Sequence, residues 1–195
     1  RGVFGGGQSS TSAMYYITIA TTGNSVSFGN LTLDRYYLAS CSSSTRGVFA
    51  GGVSVSTVNT MDYITIATTG NATSFGVLTD KYNLVAGCSS STRGVYGGGK
   101  TGGNISVNVI SYITIATAGN ATSFGQLTVA RGGTGAASSS TRGVFAGGDI
   151  NGSIQSNVID YITIASTGNA TDFGDLTSPS RGWIAGCSNG NGGLQ

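Results

Sequence analysis

The stretch Tyr63-Ile-Thr-Ile-Ala-Thr-Thr-Gly-Asn-Ala-Thr-Ser-Phe-Gly-Val-Leu-Thr79 occurs four times with few changes, starting at Tyr16, Tyr63, Tyr112 and Tyr161. Its two halves are built of β-branched, aromatic and hydroxyl residues. Between them the Gly-Asn pair supplies a residue free to take positive φ and another that tolerates it, so each copy reads as two strands joined by a tight turn. No segment of the chain has helical periodicity.

Upstream of each copy stands Arg-Gly-Val-aromatic followed by Gly-Gly, at Arg1 to Gly7, Arg46 to Gly52, Arg93 to Gly99 and Arg142 to Gly148. Downstream come Leu-Thr and a basic residue, Arg35, Lys81, Arg131 or Arg181. A small-residue segment such as Leu38 to Cys41 or Val85 to Cys88 then leads into the next Arg-Gly. Each unit of about 47 residues therefore offers four short strands, the size and content of a propeller blade. The expectation is an all-β chain forming a single domain over 1–195, a propeller of four four-stranded blades. The units run about 1–45, 46–92, 93–141 and 142–187, with a tail at 188–195. The Ala/Gly/Ser/Cys segment takes the innermost strand, where space is tightest. The sequence starts on a second strand and ends with a first strand, Gly182 to Cys187. Pairing of that last strand with the N-terminal blade is expected to close the ring and remove an unpaired edge.

Composition narrows the chemistry. Only 8% of the residues are charged and 34 are Gly, yet 38% are apolar and lie in short runs, which favours many strands over disorder. A net charge of +2, with the basic residues dispersed, argues against a nucleic-acid partner. No run has the length and apolarity of a membrane span. There is no His and no Glu, so the usual acid and base groups of catalysis are almost missing, and the chain is expected not to be an enzyme. Cys41, Cys88 and Cys187 recur at one repeat position, which suits neither a disulfide framework nor a zinc site. No cofactor or metal is expected.

An Arg, an inner strand, a strand ending in Gly-Gly and a Tyr-bearing strand resemble the kelch repeat, over essentially the whole chain. Kelch repeats usually carry a Trp in the last strand; here that place holds Phe28, Phe75, Phe124 and Phe173, and the only Trp is Trp183 in an inner strand. The repeated Tyr-Ile-Thr-Ile-Ala phrase is also similar to kelch-type repeats in virion proteins of marine tailed phages, in tail-fibre or appendage contexts. That resemblance implies a location on a virion surface or outside the cell.

Between Gly-Gly and the repeat Tyr lie residues 8–15, 53–62, 100–111 and 149–160, segments that change in length and composition while the other face repeats Cys-Ser-Ser-Ser-Thr and Thr-Gly-Asn. Variable loops on a constant scaffold are where recognition sits. Lys100, Asn104, Asp149 and Asn151 are the ligand-binding candidates, against the alternative that the loop lengths are merely tolerated. Arg1, Arg46, Arg93 and Arg142, with Arg35, Lys81, Arg131 and Arg181, form two basic rings. They read either as anion or sugar contacts or as structural bridges between blades through backbone carbonyls, the second favoured by the guanidinium's five fixed donors. The Tyr and Phe rings read as inter-blade core before they read as a stacking platform for sugars. Three of six Asn-x-Ser/Thr sequons, at Asn71, Asn120 and Asn169, are turn residues; the others are Asn30, Asn104 and Asn151.

Together with the resemblance, these features lead to a non-enzymatic virion structural or host-attachment module whose loops contact other virion proteins or a host surface glycan. It would work within a larger assembly or homo-oligomer. A secreted carbohydrate-binding lectin and a purely architectural protein are the alternatives.

Overall fold

A computed structural model describes residues 1–7, 11–177 and 182–188, and the described residues form strands and turns with no helix. The first sheet holds β1 (Gly2–Gly5), β2 (Thr11–Ile17) and β3 (Val26–Arg35) in that order. The second holds β4 (Ala39–Ser42), β5 (Arg46–Ala50), β6 (Thr60–Thr65) and β7 (Thr73–Val77); the third β8 (Ala86–Ser89), β9 (Arg93–Gly97), β10 (Val109–Thr114) and β11 (Thr122–Gln126). In the fourth, β12 (Gly135–Ser138), β13 (Arg142–Ala146), β16 (Val158–Thr163) and β17 (Thr171–Asp175) pair in turn, and β14 (Asp149–Ile150) and β15 (Ile154–Gln155) make a small hairpin in its long loop. All pairings are antiparallel, and the register repeats: Cys41 faces Val48, Cys88 faces Val95 and Ala137 faces Val144.

The core lies between sheets. One apolar cluster joins Met14, Phe28 and Leu31 of the first sheet to Phe49, Ile64 and Ala72 of the second unit. Two further clusters repeat the arrangement between the second and third sheets and between the third and fourth. Each sheet therefore has a back face, such as Met61, Phe75 and Leu78, and a front face, such as Phe49 and Ile64, and consecutive units bury back against front. A β-bulge recurs at Met61/Asp62, Ile110/Ser111 and Ile159/Asp160, so that two successive side chains of the third strand are both buried in the second and third sheets, while in the fourth Asp160 is buried and Ile159 half-buried.

The Gly-Asn turn does more than join two strands. Gly70 N donates to Phe28 O (2.7 Å), Gly119 N to Phe75 O (2.7 Å) and Gly168 N to Phe124 O (2.8 Å), so each turn hydrogen-bonds to the outer strand of the sheet before it. The Asn side chain adds a second bond, its Oδ1 accepting from Asn30 N (3.0 Å), Val77 N (3.1 Å) or Gln126 N (3.1 Å). Gly29, Gly76 and Gly125 face these turns so closely that a Cβ would collide with the turn carbonyl.

The expected pairing of Gly182 to Cys187 with the N-terminal sheet is not made among the described residues, where β1 pairs with β2 alone. Residues 182–188 stack on the preceding inner strand instead. Trp183 N donates to Gly133 O (3.0 Å) and Ser188 Oγ to Ser138 O (2.7 Å). Gly186 abuts the Ala136 carbonyl just as Gly87 of β8 abuts the Ser40 carbonyl of β4, so small residues set this stacking in both places.

Candidate functional site

The connection leading into each inner strand bridges to the next long loop: Tyr36 with Val53, Asn83 with Lys100, and Gly132 with Asp149. These bridges gather the variable loops and the entrances to the inner strands on one face. At the centre of that face runs a chain of backbone bonds, from Leu84 N to Tyr37 O (3.0 Å), Gly133 N to Leu84 O (2.9 Å) and Trp183 N to Gly133 O (3.0 Å). All four residues have left-handed backbone, with φ of 56° at Tyr37, 55° at Leu84, 64° at Gly133 and 59° at Trp183. Such a conformation costs a bulky residue roughly 1–2 kcal/mol, which the encircling bonds must offset.

Two aromatic rings meet over this mouth. Tyr37 and Trp183 lie 5.7 Å apart by ring centroid, and Tyr36 packs edge-on against Tyr37 at 4.7 Å. Tyr37 is 41% exposed and Trp183 57%, an unusual state for large rings held in strained backbone. Below the mouth is a cavity of about 600 Å³ walled by Ser40 to Ser44, Gly87 to Ser89, Ala136 to Ser138, Gly186 to Ser188 and Arg1 to Val3. Its lining is hydroxyls, small residues and the larger apolar groups Ile19, Phe49, Ile64 and Ile66, with Arg1 its one charged residue.

The four loop candidates do come together, in two adjacent loops, but in two different states. Lys100 Nζ lies 2.6 Å from Asp149 Oδ1, with both side chains almost completely buried, so this pair ties loop to loop and does not face solvent. Gly152 N also donates to Asp149 Oδ1 (2.7 Å). Asn151 is exposed, yet its Oδ1 accepts from Ser106 N (3.0 Å) and its N–H donates to Ser106 Oγ (2.9 Å), which locks the two loops. Asn104 is exposed beside it. What the loops offer outward are aliphatic tips: Val55, Ile105 and Ile154 are all strongly exposed.

The basic residues point elsewhere. Arg1 Nη1 donates to Ala67 O (2.8 Å), Arg46 Nη1 to Ala116 O (2.8 Å) and Arg93 Nη1 to Ile164 O (2.8 Å), each a carbonyl of the following sheet. The guanidinium of each, and that of Arg142, also lies over a Tyr of its own sheet at 4.3 to 4.5 Å. Arg35 and Arg131 are completely buried and paired with Asp62 (2.6 Å) and Asp160 (2.8 Å) of the next unit. Burial pulls both guanidinium pKa values down, and the facing carboxylate pulls them back up.

Lys81 does not share this position. Gly7 N, Gly52 N and Gly99 N bond the carbonyls of Arg35, Tyr82 and Arg131, so Tyr82 is the structural counterpart and Lys81, one residue earlier, is exposed. Tyr82 follows Leu78 by the same four residues that separate Arg35 from Leu31 and Arg131 from Leu127, so taking the next basic residue after Leu-Thr, one position early in this unit, misplaces it. Arg181 lies outside the described residues.

The Tyr and Phe rings form four edge pairs at 6.0 Å, Tyr16–Phe28, Tyr63–Phe75, Tyr112–Phe124 and Tyr161–Phe173. Burial pushes the Cys41 and Cys88 thiols up to about 12, and Cys41 also contacts the Tyr96 hydroxyl at 3.1 Å. Thiols held neutral in this way are poor nucleophiles. Among the described residues no group of His, Cys, Asp or Glu is placed to hold a metal, and no helix is long and apolar enough to cross a membrane.

Stacked antiparallel sheets of three and four strands with one loop-bearing face define a propeller-like all-β protein. The solved structure of YjhT has the same arrangement: it superimposes with a TM-score of 0.76 at 8% identity, over 91% of this chain and 63% of that one. The chain thus spans less than two thirds of that protein's length, and the likeness is one of fold alone. No family model matches the sequence, and no curated protein matches it either.

The aromatic mouth went unnoticed in the sequence. Its signal was there: the position before each inner strand holds Tyr37, Leu84, Gly133 and Trp183, a large spread in an otherwise regular repeat.

Proposed function

We propose that the chain is a non-enzymatic virion structural or host-attachment module, in which the sheets are the four blades of a kelch-like propeller and the loop face binds a host surface glycan or another virion protein. The observation that carries this reading is the exposed Tyr37–Trp183 pair in strained backbone at the centre of the variable face. Aromatic rings of this kind combine large contact area with little side-chain entropy to lose on binding. The exposed Asn104 and the aliphatic tips Val55, Ile105 and Ile154 surround that face with further contact groups. The phage-like repeat phrase supports the virion setting. The absence of His and Glu from the sequence supports a binding role over a catalytic one.

Binding of the purified chain to a glycan array and to host cells is the test, with Tyr37→Ala and Trp183→Ala as the decisive variants. Each is expected to lower affinity at least tenfold while leaving the melting temperature within a few degrees. Wild-type binding that both variants retain in full would refute the aromatic site. Absence of any glycan or cell binding, with the chain located inside a particle, would favour the architectural alternative.

A further inference from the structure

The basic residues that the loop face contains are already engaged inside the fold. Lys100 is paired with Asp149 (2.6 Å), Arg35 with Asp62 (2.6 Å) and Arg131 with Asp160 (2.8 Å), and all six side chains are buried. In the connections that lead onto this face, the exposed charges among the described residues are Asp34, Asp80 and Lys81, two acidic and one basic. Lys81 stands next to Asp80, whose Oδ1 accepts from the Lys81 N–H (2.7 Å). The solvent side of the face is therefore neutral to weakly acidic, although the whole chain carries +2. An anionic ligand would meet no unpaired guanidinium among the described residues there, and it would meet two carboxylates.

The mouth at the centre of that face suits a flat apolar surface with hydroxyls at its edge. The Tyr37 and Trp183 rings meet at 62°, which makes them an open wedge. Beside the indole the repeat places Gly133, where a Cβ would come to 3.7 Å from Trp183 Cδ2; the other three units hold Tyr, Leu or Trp at that position. One flank of the indole thus carries no side chain of the neighbouring unit. The ring faces are apolar and electron-rich, while the tyrosine hydroxyl can donate or accept and the indole N–H can donate. A pyranose has the matching form: its axial C–H bonds, slightly positive, make one apolar face, and its hydroxyls project around the rim. The backbone of both rings is held by the hydrogen bonds that run through Leu84 and Gly133, so little ordering is left to be done on binding.

We propose that this mouth takes an uncharged pyranose of a host glycan, with its C–H face in the Tyr37–Trp183 wedge, and discriminates against sialylated, sulfated and uronic-acid sugars. The proposal rests on the glycan reading of the same face and adds the class of sugar. Discrimination comes from charge: a carboxylate or sulfate desolvated against the rings gains no cation in return and lies among acidic neighbours. Affinity for the neutral sugar depends little on salt, because no ion pair forms.

Trp183 is the one tryptophan of the chain and is 57% exposed, so its fluorescence reads the site directly. Titration of the full chain with neutral oligosaccharides of glucose, galactose, mannose and N-acetylglucosamine should change that emission saturably for at least one of them. The same sugar carrying N-acetylneuraminic acid, a uronic acid or a sulfate ester should bind about tenfold more weakly or worse. Raising NaCl from roughly 0.05 to 0.5 M should move the neutral affinity by no more than about twofold. Tyr37→Leu and Trp183→Leu probe the wedge with the fold kept, since Leu84 already occupies the same left-handed position of the repeat. Both should melt within a few degrees of wild type and bind the neutral sugar about tenfold more weakly, Trp183→Leu being read by calorimetry. Saturation by acidic sugars alone, or binding abolished by salt, overturns the class of sugar and leaves a glycan site standing. Neutral-sugar binding that both leucine variants keep in full overturns the wedge as its seat. No response to any sugar overturns the proposal outright, and binding of the same chain to host cells then decides the attachment reading separately.

Discussion

The junction between the second and third sheets differs from the two that flank it at one place. At the flanking junctions a buried arginine meets a buried aspartate, Arg35 with Asp62 and Arg131 with Asp160. At the middle junction Tyr82 stands where the arginine would be and Ser111 where the aspartate would be, both buried and both uncharged. The backbone is the same in all three, down to the Gly-Gly amide that bonds the carbonyl of residue 35, 82 or 131. The repeat therefore accepts a charged pair or a neutral pair at that seat, and within this one chain the two partners change together. A buried charge is tolerable only with its partner, since desolvation of either ion alone outweighs what the fold returns.

The largest expected effect comes from leaving one of those charges alone. Asp62→Ala removes the carboxylate that accepts from Arg35 Nη2 (2.6 Å) and from Thr32 N (3.4 Å), and it strands a completely buried guanidinium. The cost should be about 3–5 kcal/mol, read from denaturant unfolding. Ser111→Ala at the neutral junction should cost no more than about 1 kcal/mol. Equal losses at the two positions would show that Arg35 is held well enough by its carbonyl acceptors, Thr60 (2.5 Å), Gly51 (3.0 Å) and Phe49 (3.4 Å).

A smaller effect separates the middle of the stack from its end. Gly125→Ala drives a Cβ into the Gly168 carbonyl and should destabilise the fold by about 2–3 kcal/mol through forced backbone shifts. Gly174→Ala places the same Cβ in open space, but at a φ of 134°, where the backbone strain alone should cost about 1 kcal/mol. Comparison of the two melting curves measures how much of the junction is the turn contact.

Smaller again is the dependence on alkali. Folded Cys41 and Cys88 have pKa values raised to about 12 by burial, while an unfolded thiol titrates near the ordinary value of about 8.5. The unfolded state loses its protons first as pH rises, so the stabilising effect of the neutral thiols is complete below the unfolded pKa and is lost progressively up to the folded one. Each thiol should account for roughly 1–2 kcal/mol of lost stability by pH 10. Cys41→Ala with Cys88→Ala should flatten that limb of the stability curve. In native protein at neutral pH, a thiol reagent should label Cys187 alone.

Most of the architecture was legible in the sequence because the repeat encodes it four times over. The strand order within a sheet, the Gly-Asn turn and the position of the small-residue inner strand all follow from residue type and spacing. What was not legible depends on neighbours distant in the chain. The Asn of the turn looks like turn chemistry, and only the stacked sheets reveal that Asn71, Asn120 and Asn169 accept from the strand before. Lys100 and Asp149 looked like exposed loop charges until their 2.6 Å ion pair placed both inside. Lys81 was misaligned because basic character was matched in place of spacing, which puts Tyr82 in register with Arg35 and Arg131. The aromatic mouth depends on four residues brought together by a chain of backbone bonds; the spread of residue type at that repeat position marks them, but not that Tyr37 and Trp183 meet.

The smallest expected effect is the most informative about the opening comparison. Arg35→Tyr combined with Asp62→Ser converts the first junction to the composition of the second, removing both charges at once. The losses are the ion pair, the arginine's bonds to the Thr60, Gly51 and Phe49 carbonyls, and the Thr32 contacts with Asp62. The gains are the avoided desolvation of two ions and the removal of an arginine Nε that finds no partner. These terms are similar in size, and exchanging a buried pair as a unit is commonly close to neutral. Stability within about 1.5 kcal/mol of wild type is therefore expected, although Asp62→Ala alone loses at least twice that. Loss in the double variant as large as in the single one would mean that Arg35 acts chiefly through the strand carbonyls, which Tyr82 at the middle junction does without.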